Sequence, residues 1–240
     1  CAYWMHSTNA LESFLTVAGR ESRNLMVSSG LTVKDVIVTG RRHAGYNNIM
    51  DALDAARGDL VFDVDLEVAR QRIEGLGWIR AATVRRYFPG TILINVVERR
   101  PFALWQRRGR VSLIDREGQV IGSEALAKFV TLPVIVGDDA PRHVGTLVSV
   151  LSRQPMLLTQ LDAASRVSDR RWDIRLSNGL EIKLPEQGVA AAWDLLATLV
   201  MEHQLLERDV IAIDLRVMDR LAIRLGPASA ATHRGEGQST

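Results

Sequence analysis

The sequence predicts an α+β chain: a small β-α-α-β-β domain followed by a larger β domain with an antiparallel or mixed sheet and flanking helices. Three observations carry this. A β-branched run and two short amphipathic stretches precede a pair of long apolar runs split by Pro89-Gly90. After Pro101 the pattern changes to short alternating runs separated by turn residues. One long helical stripe, from Val189 onward, leads into two final strand-like runs.

In the first domain, Val33 to Val38 is β-branched and bounded by Gly40, so it reads as a strand. Tyr46, Ile49, Met50 and Leu53 recur at helical spacing and stop before Gly58. Val64, Leu66, Val68, Ala69, Ile73 and Leu76 form a second helical stripe ended by Gly75 and Gly77. Ala81 to Phe88 and Thr91 to Glu98 are strands around a Pro89-Gly90 turn.

In the second domain, Phe102–Gln106 and Val111–Ile114 flank a hairpin turn, Arg107-Arg-Gly-Arg110. Asp115 to Gly118 is a turn and Gln119 to Ile121 resumes the strand. Leu132 to Val136 is a short apolar strand whose Pro133 suits a strand start or an edge. Gly137 to Pro141 is a loop. Leu147, Val150, Leu151, Leu157, Leu158 and Leu161 read as helix, interrupted by Pro155. Trp172, Ile174 and Leu176 alternate with polar residues up to Asn178-Gly179, a strong hairpin signal, and Leu180, Ile182 and Leu184 alternate back. Val189 to Leu206 is a helix whose buried stripe holds Val189, Trp193, Leu196, Val200 and either Met201 or His203. Val210–Val217 and Arg220–Leu225 are the last strands, and 227–240 is small, polar and expected to be mobile.

Composition excludes several classes of function. Thirty Lys and Arg against 28 Asp and Glu give a net charge of only +2, so no nucleic-acid-binding field is expected. The one cysteine, Cys1, leaves no internal disulfide and no CxxC site. No P-loop, GxGxxG, GxSxG or HExxH pattern occurs, and the five histidines are far apart, so no enzyme, cofactor or metal site is expected. The acid pairs Asp63…Asp65 and Asp138-Asp139 read as hydrated loop acids, and His203 as a partner for helix-end carbonyls. The scattered Arg pairs read as solvated strand ends.

Gly40 after the first strand, Leu76 before Trp78, Phe88-Pro89-Gly90 and Val96-Val-Glu-Arg-Arg-Pro101, in this order, resemble a POTRA domain. One copy followed by a β-rich domain resembles the FtsQ/DivIB cell-division family. The segments Leu113–Ile121, Leu132–Gly137, Arg171–Leu184 and Ile213-Asp-Leu-Arg216 are similar too. The resemblance implies a juxtamembrane segment at 1–30, a POTRA domain at 31–100, a β domain at 101–226 and a tail at 227–240. It implies a non-enzymatic scaffold of the divisome, needed for septum formation. That protein would be held by an inner-membrane helix upstream of this sequence, with both domains in the periplasm, enriched at the septum. Tyr3 and Trp4 would then mark the membrane interface; a lipid-modified Cys1 is the alternative.

The family further implies that the last strand receives the periplasmic segment of FtsB, which travels with FtsL. By strand addition, Arg216, Val217, Met218, Asp219, Arg220, Leu221, Ala222, Ile223 and Arg224 would bind it, with Arg216 facing a partner carboxylate. The POTRA domain would contact other division proteins such as FtsK or FtsW. A different class, a POTRA-bearing transport or outer-membrane assembly component binding extended polypeptides, would need a β-barrel. The sequence after Pro101 is too short and too helical for one.

Overall fold

The computed structural model describes residues 30–217 and 220–226. The chain divides into two compact units, Cys1–Arg99 and Arg100–Thr240.

In the first unit, β1 (Asp35–Thr39) is followed by α1 (Tyr46–Leu53), α2 (Leu66–Glu74), β2 (Ile79–Tyr87) and β3 (Thr91–Glu98). The sheet order is β1-β3-β2, with β1 parallel and β2 antiparallel to β3. Ile92, Ile94 and Val96 alternate along β3 and are buried, as are Ile49, Leu53 and Ile73 of the helices. The two-residue period of the strand and the 3.6-residue period of the helices meet in one core. Asp65 caps α2: its carboxylate accepts from the N–H groups of Glu67 and Val68, at 3.0 Å each. Arg86, expected as a solvated strand end, instead donates to the carbonyls of Val61 (2.7 Å) and Val64 and ties down the loop between the helices.

Glu98 has a structural purpose. Its carboxylate accepts from the N–H groups of Arg42 (2.7 Å), His43 (2.8 and 3.0 Å) and Ala44 (2.8 Å), holding the loop between β1 and α1. His43 stacks on Trp78, with ring centres 4.8 Å apart. Gly40 opens this loop at φ +84°, and a Cβ there would lie 2.0 Å from the Val96 carbonyl oxygen. Burial raises the pKa of Glu98, but the N–H groups of Ala44, Arg42 and His43 outweigh it, so the net shift is downward. The unfolded carboxyl titrates near about 4.3. The stabilisation is therefore complete above that pH and is lost as pH falls through the lower folded value. Glu98→Gln is expected to cost about 1–3 kcal/mol and to flatten the acid limb of a urea-unfolding series between pH 7 and pH 3. An unchanged acid limb would show that the carboxylate does not hold the loop.

In the second unit, β4 (Ala103–Arg107), β5 (Arg110–Ile114) and β6 (Val120–Gly122) form a meander. β7 (Val134–Val136), α3 (Ala140–Leu151), the short α4 (Pro155–Leu158) and β8 (Leu161–Val167) follow. Then come β9 (Arg171–Leu176), β10 (Glu181–Lys183), α5 (Val189–His203), β11 (Val210–Val217) and β12 (Arg220–Leu225). The nine strands form one mixed sheet in the order β12-β11-β10-β9-β8-β7-β4-β5-β6. Parallel pairs occur at β4–β7, β7–β8 and β10–β11. Register places Ala103, Ile135, Ala164, Ile174, Ile182 and Ile213 on one face, where Leu147, Leu151, Trp193 and Leu196 of α3 and α5 complete the core. The opposite face carries Ser165, Asp173, Lys183 and Asp214 in one cross-strand row, and Ala163, Arg175, Glu181, Ala212 and Arg224 in the next. Alternating charges along these rows favour this register over a one-residue slip.

Three further sequence expectations are corrected, and the alternative left open at Pro133 is decided. Leu161 starts β8 rather than ending a helix, and β8 lies inside the sheet between β7 and β9. The loop expected at Gly137–Pro141 ends early, because α3 begins at Ala140 with Pro141 in its first turn. β7 begins one residue after Pro133 and lies between β4 and β8, so the proline marks a strand start and not an edge. Met201 is 70% exposed and His203 is exposed; the buried positions of α5 are Ala192, Trp193, Leu196 and Ala197.

Candidate functional site

β11 and β12 are antiparallel, with Ile213 opposite Ile223 and Asp214 opposite Ala222. Irregularities between Val210 and Ala212, and between Asp214 and Val217, bend the pair. β12 ends the sheet order, so among the described residues its outer side has no neighbouring strand. The other border, β6, is three residues long, a length that blunts an edge. β12 has six residues and no such protection from length.

Exposure along this border follows from its being only half covered. Ile223 lies on the helix-bearing face, opposite the fully buried Ile213, yet is 39% exposed. Leu221 is 42% and Val217 58% exposed. Ala222 and Arg224 are exposed on the opposite face, and Leu225 packs partly against the core. A strand laid beside β12 would finish covering Leu221 and Ile223, worth about 1 kcal/mol for each. It would also pair the backbone groups of the border. Of the residues expected here, Met218 and Asp219 lie outside the described residues. Arg220 pairs through its backbone with Val217.

Arg216 is not waiting with an empty fork. Its Nη2 and Nε donate to the carboxylate of Asp214 at 2.6 to 3.0 Å, and its own N–H reaches Asp214 Oδ1 at 3.1 Å. The pair is partly exposed, at 45% for Arg216 and 27% for Asp214. The Arg216 side chain is the main cause of the downward shift in the Asp214 pKa, which burial opposes, and Asp214 raises that of Arg216 in turn. Lys183 lies opposite Asp214 on the neighbouring strand and adds to the same field. The sequence reading did not assign Asp214 this role. The signal was present in the Asp-Leu-Arg spacing, since residues two apart on a strand share a face.

The acid pairs serve structure. Asp138 accepts from Arg107 (3.1 Å) and Arg108 (2.7 Å). Asp139 binds Arg166 at 3.0 Å, whose side chain is only 7% exposed and lies over Trp172. Among the described residues no group of three or more His, Cys, Asp or Glu is placed to hold a metal ion. No helix among them is long and apolar enough to cross a membrane.

Residues 103–216 match the family model for the FtsQ/DivIB C-terminal region of cell division proteins, and residues 31–99 match that for the FtsQ-type POTRA domain. The chain is 40% identical over 200 residues to the cell division protein FtsQ of Rhizobium meliloti, covering 83% of this chain and 65% of that one. It is 34% identical over 232 residues to the FtsQ of Bradyrhizobium diazoefficiens, covering 96% and 67%. It is 37% identical over 167 residues to the FtsQ of Rhizobium radiobacter, covering 70% and 80%. The chain thus spans about two thirds of the length of the first two relatives.

Proposed function

The chain belongs to the FtsQ/DivIB family of cell division proteins, and on that premise we propose that it is a non-enzymatic scaffold acting through the free border of its large sheet. FtsB adds an extended periplasmic segment beside β12, and FtsL comes with it. The protein thereby links early and late division proteins at the septum. It is held in the inner membrane by a single helix outside this sequence, with both units in the periplasm. The observation that supports this most is the border itself: a six-residue strand with no neighbour on its outer side among the described residues, and with Leu221 and Ile223 left partly uncovered. Among the described residues the first unit offers a second border at β1, which carries Ile37, 49% exposed, for contact with FtsK or FtsW. Titration of the periplasmic segment of FtsB, with and without FtsL, into this chain tests the reading. Absence of binding by both would overturn it.

In the same reading Arg216 pairs with a carboxylate of FtsB, and Asp214 competes for it in the free protein. Lys183 faces Asp214 and takes over its charge when Arg216 turns to the partner. Asp214→Asn is expected to tighten binding about twofold to fivefold, the worth of one exposed ion pair. Arg216→Glu is expected to weaken it, with recovery when the partner's acid is made basic. Weaker binding by Asp214→Asn would mean that Asp214 positions Arg216 instead of competing for it.

A further inference from the structure

The hairpin between β4 and β5 breaks a rule that the rest of the sheet keeps. Arg107 and Arg110 are direct cross-strand partners, so two like charges stand face to face, an arrangement that costs stability. Arg108 follows at φ +47° in the turn. Asp138 is shared by Arg107 and Arg108, whereas Arg153, Arg175 and Arg216 are each paired with a carboxylate of their own. Arg110 has no carboxylate partner among the described residues. The next pair inward is Trp105 opposite Ser112, on the same face as Arg107 and Arg110. The Trp105 indole packs on the core, donates from Nε1 to the Gly137 carbonyl at 2.8 Å, and lies under the Arg107 guanidinium at 5.8 Å. Trp105, Arg107, Arg108, Arg110 and Ser112 line a cleft of about 480 Å³, within the range of about 300–1,000 Å³ seen for ligand sites. Nothing in the packing of the unit calls for three arginines around one half-buried indole.

We infer that this cleft binds an acidic, extended peptide segment of a partner protein, with carboxylates on Arg107 and Arg110 and an apolar side chain two residues away on Trp105. The spacing supports a peptide over a lone anion. Trp105 and Arg107 are two positions apart on one strand, as are Ser112 and Arg110 on the other, and an extended peptide repeats its side chains with the same period. Arginine suits carboxylates because its planar fork donates two parallel hydrogen bonds. Asp138 holds two of the guanidinium groups in the free protein. This surface is formed by strands at the opposite end of the sheet order from β12, so its test is independent of strand addition there.

The test is fluorescence anisotropy with a labelled hexapeptide of alternating Leu and Glu, against the same peptide with Gln for Glu. The whole 240-residue chain is used. The Glu peptide is expected to bind with an affinity that falls as salt rises, and the Gln peptide to bind at least tenfold more weakly. Arg110→Glu is expected to lower the affinity at least tenfold. Because it replaces a like-charge pair by an opposite one, it should leave the melting temperature unchanged or raise it by about 1–3 °C. A purely structural arginine would show the reverse, a lower melting temperature with binding intact. Arg110→Gln serves as a second variant, expected to weaken binding in the same direction. The inference is overturned if the Arg110 variants bind the Glu peptide as well as the parent. It is also overturned if millimolar inorganic phosphate displaces the peptide fully, or if the cleft binds phosphatidylglycerol vesicles and not the peptide.

Discussion

Proline at Leu221 or Ile223 is expected to abolish binding of the FtsB segment if the N–H groups of these residues face the free border. Proline has no N–H to donate, and an incoming strand would be left with an unpaired carbonyl at its centre. One lost ladder bond and one buried, unsatisfied acceptor together cost about 2–4 kcal/mol, roughly a 30- to 1,000-fold loss of affinity. The geometry of an antiparallel pair sharpens the test. Along a strand successive N–H groups point to opposite sides, so Leu221 and Ile223 share one side and Ala222 and Arg224 the other. Proline on the side facing β11 should weaken the β11–β12 pairing and lower the stability of the unit. Proline on the free side should leave stability nearly unchanged and remove binding. This alternation, read by calorimetric titration beside thermal melts, is the signature of strand addition. Four proline variants that fold and bind like the parent would eliminate it, and so would a loss of binding that tracked stability alone.

Trp193→Ala is expected to have the largest effect on stability. The indole is fully buried in α5, and its Nε1 donates to the Leu151 carbonyl at the end of α3 at 3.3 Å. It therefore joins the two long helices to each other as well as to the sheet. Removing it deletes a large apolar surface, leaves a cavity and takes away the indole's hydrogen bond to a carbonyl that then keeps only the N–H of Gln154, at 3.1 Å. The expected cost is about 3–5 kcal/mol, or about 6–20 °C in the melting temperature of the second unit. Trp193→Phe keeps most of the volume and loses the hydrogen bond, so it should cost about 1–2 kcal/mol. Urea unfolding followed by far-ultraviolet circular dichroism measures both. A cost below 1 kcal/mol for the alanine variant would show that α5 does not depend on this contact.

The strands that could be read from the sequence are those whose own side chains alternate. The bounds of β3, β11 and β12 coincide with the apolar runs Thr91–Glu98, Val210–Val217 and Arg220–Leu225. β8 could not be read this way. Leu161-Asp-Ala-Ala-Ser-Arg-Val167 has one β-branched residue and two adjacent buried alanines, a pattern closer to helix. It is a strand because β7 and β9 supply hydrogen bonds on both sides. The partners of Glu98 and Arg166 were equally hidden. Glu98 meets the loop more than fifty positions earlier, and Asp139 meets Arg166 across 27. At the candidate site, the sequence picked out Arg216 and the strand after it, but not the hold that Asp214 has on that arginine.

Sequence alone determined the two-unit α+β organisation and most of the strands and helices, because side-chain periodicity and turn chemistry are local and are written residue by residue. Only the tertiary structure decided that β12 is the border and β8 the interior. Which strand lacks a neighbour depends on the order of all nine, including the parallel pairs, and no property of Arg220–Leu225 by itself records it. The same holds for the shared hold of Asp138 on Arg107 and Arg108, which joins residues about thirty positions apart.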